Sequence, residues 1–275
     1  MRRRSTGDAG LRPTAPSLAA ALAVAFAGAV AAPARAWSPV PPADQGRVVL
    51  ETFTSKARMP PVQFDHWRHR ARHTCRLCHV DVGFAMTAGE TRVSAATNQG
   101  GFHCGACHDG KATWRGKPIF AACGDRAKGE EEGRCTRCHA RGDAEQRRKD
   151  FEAFAADLPR RGVGGDVDWE EAELKGLVRP ADFVEGVSIA RKALRMDKDV
   201  AIRSQGWMSD VLFSHKKHAA WNGCEVCHPD IFPNQKGEAR RTMLQISSGE
   251  ACGACHGKVA FGLGECQRCH VKPVR

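Results

Sequence analysis

The longest apolar stretch lies near the start, where Leu18 to Ala31 runs almost unbroken behind Arg2, Arg3, Arg4 and Arg12. It is too short to span a bilayer comfortably and stands before the small-x-small triplet Ala34-Arg35-Ala36, so residues 1–36 read as a secretory signal cleaved near Ala36. No Cys follows the cleavage site to take a lipid, and no later segment approaches a membrane span. Helical periodicity is clear only within 142–208. There Phe151, Phe154, Ala155 and Leu158 repeat at helix spacing after Asp143, and Pro159 with Gly162 stops the run. Asp168-Trp169-Glu170-Glu171 reads as an N-cap with a capping-box Glu, and that helix should end near Gly176. Trp169 and Phe183 offer apolar surface for packing, so an ordered helical connector is expected. On either side the chain is rich in Gly, Pro and short polar segments, with too little apolar surface for a conventional core.

Composition changes this picture, because the chain holds 13 Cys, 12 His and no Tyr. Both Cys and His fall in two clusters flanking the connector. Twelve of the Cys form six copies of Cys-x-x-Cys-His: Cys75/Cys78/His79, Cys104/Cys107/His108, Cys135/Cys138/His139, Cys224/Cys227/His228, Cys252/Cys255/His256 and Cys266/Cys269/His270. Two thiols three positions apart can add to the two vinyl groups of one heme, and the adjacent His reaches the iron as proximal ligand. Zinc sites would require the pairs to combine two by two into four-ligand sites, and neither zinc nor a disulfide scaffold explains the following His. Six covalently attached heme c groups are therefore expected, with the porphyrins serving as the core of each unit.

Six further histidines remain: His66, His69, His73, His103, His215 and His218. His66 and His69 stand 13 and 10 residues before His79, and His215 and His218 stand 13 and 10 before His228. The two clusters are thus copies of one unit offset by 149 residues. Histidines at i and i+3 share a helix face, so each pair should serve two neighbouring hemes. Phe64 and Phe213 precede the pairs in the same register. Cys123 is the odd thiol, in an insertion between the second and third motifs; a free buried thiol, a late axial ligand and an intermolecular bridge are its readings.

Val-Leu-Phe-Ser-His-Lys-Lys-His, the motif ten residues on, Gly-x-x-Cys-Gly-Ala-Cys-His and the closing Cys-x-Arg-Cys-His resemble the triheme cytochrome c7 family, within the cytochrome c3 superfamily. Residues 61–141 and 209–275 each resemble one such domain. Val48-Val49-Leu50 and Val62-Gln63-Phe64 also resemble its opening hairpin. The resemblance implies a mostly irregular fold with short α-helices and a small β-hairpin. Together with the signal at 1–36 and the helical connector at 142–208, it gives a triheme domain at 37–141 and a second triheme domain at 209–275. It also implies that His66 pairs with His79, His69 with His108, His215 with His228 and His218 with His256. The third heme of such a domain takes a ligand from the segment before the second motif. In the second unit that segment holds no His but holds Met243, the candidate for the iron bound by His270. In the first unit His103, His73, Met86 and an open iron are the alternatives.

The formal charge of +11 invites a nucleic-acid reading, which export opposes. Residues 1–36 carry five Arg against Asp8, a net of +4, so the rest carries +7. Twelve propionates and six ferric centres bring that to about +1, and reduction to about −5, so the Lys and Arg excess serves as counter-charge. Electron transfer between redox protein partners is the expected function, in the periplasm, as a monomer or within a larger electron-transfer complex. A reductase of a small inorganic substrate would need an open iron, often flagged by an altered motif; all six motifs here are regular. A purely structural subunit of an electron conduit is the third reading.

Overall fold

The first pair of strands sets the register of the first histidine pair. In the computed structural model, which describes residues 40–123, 135–139, 143–162, 164–191, 196–204, 207–235, 237 and 241–272, β1 (Arg47–Leu50) pairs antiparallel with β2 (Val62–Asp65), placing Val48 opposite Phe64. The expected signal segment lies outside the described residues. β2 runs directly into α1 (His66–Arg70), and a π-type turn, Leu77–Asp81, comes next. α2 (Ala95–Gln99) and a 3-10 turn at His103–Ala106 lead to the hairpin β3 (Thr113–Trp114) and β4 (Lys117–Pro118), which lies in the insertion.

The connector holds α3 (Ala144–Phe154), the hairpin β5 (Arg160–Arg161) and β6 (Asp166–Val167), and α4 (Trp169–Leu174). Asp143 caps α3 by accepting from the N–H groups of Glu145 and Gln146. Asp168 caps α4 by accepting from Glu171 N–H at 3.2 Å. The reciprocal half of the expected capping box is absent, because the Asp168 N–H already donates to Pro159 O at 2.8 Å across the hairpin.

The second cluster repeats the first. β7 (Asp199–Ile202) pairs with β8 (Asp210–Ser214), placing Val200 opposite Phe213, and β8 runs into α5 (His215–Asn222). α6 (Met243–Ser247) precedes a 3-10 turn at Ala251–Ala254, and β9 (His270–Lys272) joins β8 in a three-stranded sheet. The duplication reaches single bonds. Val62 bridges His139 as Val211 pairs with His270, and Gln63 N–H donates to Cys138 O as Leu212 N–H donates to Cys269 O, both at 3.1 Å.

Among the described residues, buried side chains of the protein itself gather in one cluster. Trp67 packs edge-on against Phe151 at 5.5 Å and against Phe154 at 4.8 Å, with Ala43, Ala155 and Val167 around them. Phe151 and Leu77 are the largest fully buried side chains among the described residues, and burying a Phe is worth about 1.5–3 kcal/mol. Salt bridges from Arg68 to Asp150 (2.8 Å) and Arg147 to Asp44 (3.1 Å) fix α3 to the first cluster. Lys217 to Glu170 (2.5 Å) and Arg268 to Asp168 (3.9 Å) tie α4 to the second. Among the described residues no helix is long and apolar enough to cross a membrane.

Candidate heme-binding site

In the Cys-x-x-Cys-His motif, residues i, i+3 and i+4 carry the chemistry, and these share one face of a helical turn. The turn is formed. His108, His139, His228 and His256 each donate a backbone N–H to the carbonyl of the first Cys of their own motif, at 2.8–3.0 Å. The intervening residues serve packing: Leu77 and Val226 are buried. At Gly105 and Gly253 a Cβ would come within 1.8 and 1.7 Å of the Asn98 and Ile246 carbonyl oxygens, so only Gly lets the second-motif turn lie against α2 or α6.

The first motifs of the two clusters meet. Arg76, between Cys75 and Cys78, is buried and pairs with Asp81 and Asp182, both at 2.9 Å. Arg191 of the connector reaches Asp81 at 3.3 Å and also pairs with Glu225, the corresponding residue of the fourth motif. Gly223, just before Cys224, sits so close that a Cβ would meet Arg76 Cδ at 2.6 Å.

One cavity of about 2770 Å³ runs through both clusters, far above the roughly 300–1,000 Å³ that holds one drug-sized ligand. His66, His69, His79, His108, His218, His256 and His270 line it, with Cys75, Cys78, Cys104, Cys107, Cys138, Cys227, Cys252, Cys255, Cys266 and Cys269. His139, His215 and His228 do not. The ring centroids of His66 and His79 are 6.4 Å apart, those of His69 and His108 6.2 Å, and those of His218 and His256 6.1 Å. Phe64 and Phe213 wedge both rings of their His pair: 4.8 Å from His66 and His215, and 4.6 and 4.3 Å from His69 and His218. No ring contact joins His215 to His228 among the described residues.

Backbone carbonyls hold most of these imidazoles by Nδ1. His66 is held by Gly46, His79 by Phe84 (3.0 Å), His108 by Phe120 (3.2 Å) and His139 by Pro60 (2.8 Å). His215 is held by Lys198 (3.2 Å), His218 by Ser214 (2.8 Å), His228 by Phe232 (2.8 Å) and His270 by Ser209 (2.6 Å). An Nδ1–H given to a carbonyl leaves the Nε2 lone pair for a metal, the arrangement usual for ligating His. Burial reinforces it by keeping imidazoles neutral: His69 is pushed down to about 3, and His256 to about 4 by burial with His218 facing it. Burial likewise holds thiols protonated, pushing Cys78 up to about 12 and Cys104 and Cys255 to about 11. No three His, Cys, Asp or Glu side chains converge as an ion site among the described residues. Spread thiol pairs, anchored imidazoles and a long cavity fit heme c rather than a bare ion.

A family model described as cytochrome c7 and related cytochrome c matches residues 62–140 and 211–271, about half the chain. The chain belongs to the cytochrome c7 family. A c7-type three-heme cytochrome domain is 37% identical over 29% of this chain and 99% of its own length, with a TM-score of 0.26. The C-terminal hexaheme fragment of GSU1996 is 23% identical over 82% of this chain and 96% of the fragment, with a TM-score of 0.25. The dodecaheme cytochrome c GSU1996 itself is 22% identical over 82% of this chain and 74% of its own, with a TM-score of 0.26. No curated protein matches the chain. As a c7 relative matched in two segments, the protein is a multiheme c-type cytochrome.

The remaining candidates scatter around this c7 cavity. Met243, the first residue of α6, lines it and is 52% exposed. Its structural counterpart is Ala95, first residue of α2, since both stand nine residues before the second motif and both helices carry the same capping box, Ser94 with Thr97 and Thr242 with Gln245. Both belong to the short α-helices expected of this fold, and Thr-x-x-Gln at 242–245 is a readable start signal. His103 lines the cavity beside Phe84 at 5.4 Å, its Nδ1 buried and unpartnered. Its backbone takes φ +51, matching +50 at its counterpart Ala251. His73 packs on Trp114 at 4.7 Å and lines the cavity with Met86. Cys123 is half-buried, accepts from Asn98 Nδ2 at 3.7 Å and does not line the cavity.

Proposed function

We propose that this c7-family protein is an exported, periplasmic hexaheme cytochrome that passes electrons between redox protein partners and performs no chemistry on a substrate. Residues 37–141 and 209–275 form its triheme units and residues 142–208 the connector. In this reading twelve Cys hold the hemes and His79, His108, His139, His228, His256 and His270 supply the proximal ligands. His66, His69, His215 and His218 supply the distal ligands of the first two hemes of each unit, and Met243 faces His270. For the iron of His139, His103, His73 and Met86 remain the candidates.

One observation carries the reading. With a metal–imidazole bond of about 2 Å and a ring centre roughly 1.2 Å behind each nitrogen, two imidazoles sharing one iron have centroids about 6.3 Å apart. The three contacting pairs stand at 6.1–6.4 Å. Heme supplies a one-electron ferric–ferrous couple. Paired imidazoles would close both faces of the iron to substrate, and the carbonyl anchors of His66, His79, His108 and His218 would keep those rings fixed between redox states. Rigid ligation of this kind suits electron transfer, where reorganisation on each passage must be small. Intact-mass analysis of protein from a strain with heme c maturation tests the count: six hemes are expected, and four or fewer in a homogeneous preparation would refute it. Changing His218 to Ala should open the iron of His256 to carbon monoxide on reduction, and His215 to Ala that of His228. One heme answering to both changes would break the assignment.

A further inference from the structure

Arg70 closes α1 at the place where the two clusters touch, and no carboxylate pairs with it among the described residues. Its Nη1 donates to Val259 O, 189 positions away. Its guanidinium lies 4.8 Å from the Trp169 ring centre and 4.9 Å from that of Trp221, so it is held between the connector and α5. Its Nε–H is buried without a partner. The surface Arg70 keeps faces the heme cavity. Val259 belongs to the loop after Cys255, and its side chain sits where a Cβ on Gly46 would fall, so this is a close seam. Glu173 attracts the guanidinium without forming an ion pair with it; its carboxylate is engaged by Trp221 and is pushed up by burial. An Arg guanidinium is not deprotonated in proteins, so the side chain is charged at neutral pH.

A guanidinium has five N–H donors, and aromatic faces satisfy charge only in part. An uncompensated buried charge costs several kcal/mol, so a folded protein that keeps one has an anion for it. Propionates are the anions that belong in this cavity, and the planar fork of Arg suits a carboxylate. The position is not part of the repeat, since the counterpart of Arg70 in the second unit is Ala219. We propose that Arg70 is a positioning residue that binds a heme propionate at the seam between the units, and that this contact raises the potential of the heme that carries it. The inference rests on the hexaheme reading.

The test is a redox titration at pH 8 of the hexaheme protein and its Arg70→Gln and Arg70→Lys variants, with individual hemes followed by NMR and heme content checked by mass. Removing the charge leaves an uncompensated propionate, which disfavours the electron. Arg70→Gln should therefore lower the reduction constant of one heme at least tenfold, about 59 mV for a one-electron centre. Arg70→Lys should change it less than threefold. Which heme shifts identifies the source of the carboxylate. Should Arg70→Gln not fold, carbon-13 labelling of the propionates gives a second measurement, since the reduced-minus-oxidised infrared carboxylate bands of wild type should move in Arg70→Lys. Unchanged potentials in Arg70→Gln, equal shifts in both variants, a shift spread evenly over all the hemes, or identical labelled bands would each overturn the proposal. A wild-type count other than six hemes would instead sink the hexaheme reading.

Discussion

Residues 62–139 and 211–270 share strand register, the wedging Phe64 and Phe213, the carbonyl anchors of the third-motif His, and a capped helix before the second motif. They part where a third heme would find its second ligand, with Met243 in one copy and Ala95 in the other. They also part in protein core: Trp67 of the first copy is buried on Phe151, while its counterpart in the second is Lys216. What is duplicated is what covalent attachment and the paired imidazoles demand. What diverges is support and tuning, which different side chains can supply at one backbone position.

The largest expected effect falls on both copies alike. Protein made without heme attachment should show no cooperative thermal transition by circular dichroism, because so few apolar side chains are buried among the described residues. A sharp transition in the apo chain would mean that side chains alone build these units. Next, Phe151→Ala should cost about 3–5 kcal/mol in chemical denaturation while six hemes stay attached. Local hydrogen exchange should show the loss concentrated around α1 and α3, in the first copy. An equal loss of protection around α5 would erase the asymmetry.

The third prediction exchanges the difference itself. Met243→His should abolish the weak sulfur-to-iron charge-transfer band at the red edge of the visible and lower one potential by roughly 59 mV or more, since thioether ligation raises potential. Ala95→Met should create such a band in the first copy, because α2 and α6 carry the same capping box and open at the same distance from their second motif. A band that survives Met243→His unchanged would remove Met243 from the iron. The smallest effect concerns Asp168, which caps α4 and reaches Arg268 of the second copy. Burial opposes its ionisation, but the Glu171 N–H, Arg161 and Arg268 outweigh that and hold its carboxyl below the usual range. A depressed folded value means stabilisation that is present above the unfolded value of about 3.9 and lost as pH falls through the folded one. Asp168→Asn should therefore cost up to about 1 kcal/mol at pH 7, and the gap from wild type should close in acid. A gap independent of pH would place the effect in packing.

Much of this is legible in the chain itself, and the reason is chemical. Thioether attachment needs two Cys and a His at fixed spacing, so the six motifs and the duplicated His pairs survive as strings in the sequence. The starts of α3 and α4 are readable because Asp143 and Asp168 are strong caps. Other features rest on partners far apart in the chain and leave no local trace. Arg76 meets Asp182 across 106 residues and Arg70 meets Val259 across 189. The addition of β9 to β8 likewise depends on tertiary pairing, and the insertion hides its own hairpin, β3–β4, among turn-forming residues. Even so the insertion keeps one contact: Arg137 lies over Phe120 at 4.7 Å as Arg268 lies over Phe261 at 3.9 Å, each Phe packed on the second-motif His.

The central claim is that both copies close their first two irons with paired histidines and differ only at the third. Low-temperature EPR of the fully oxidised protein, continued through a reductive titration, addresses it directly. Four low-spin bis-histidine irons are expected, two from each copy, with one low-spin His–Met iron reduced ahead of its neighbours in the second unit. High-spin signal amounting to more than one iron, or fewer than four bis-histidine centres, would contradict it.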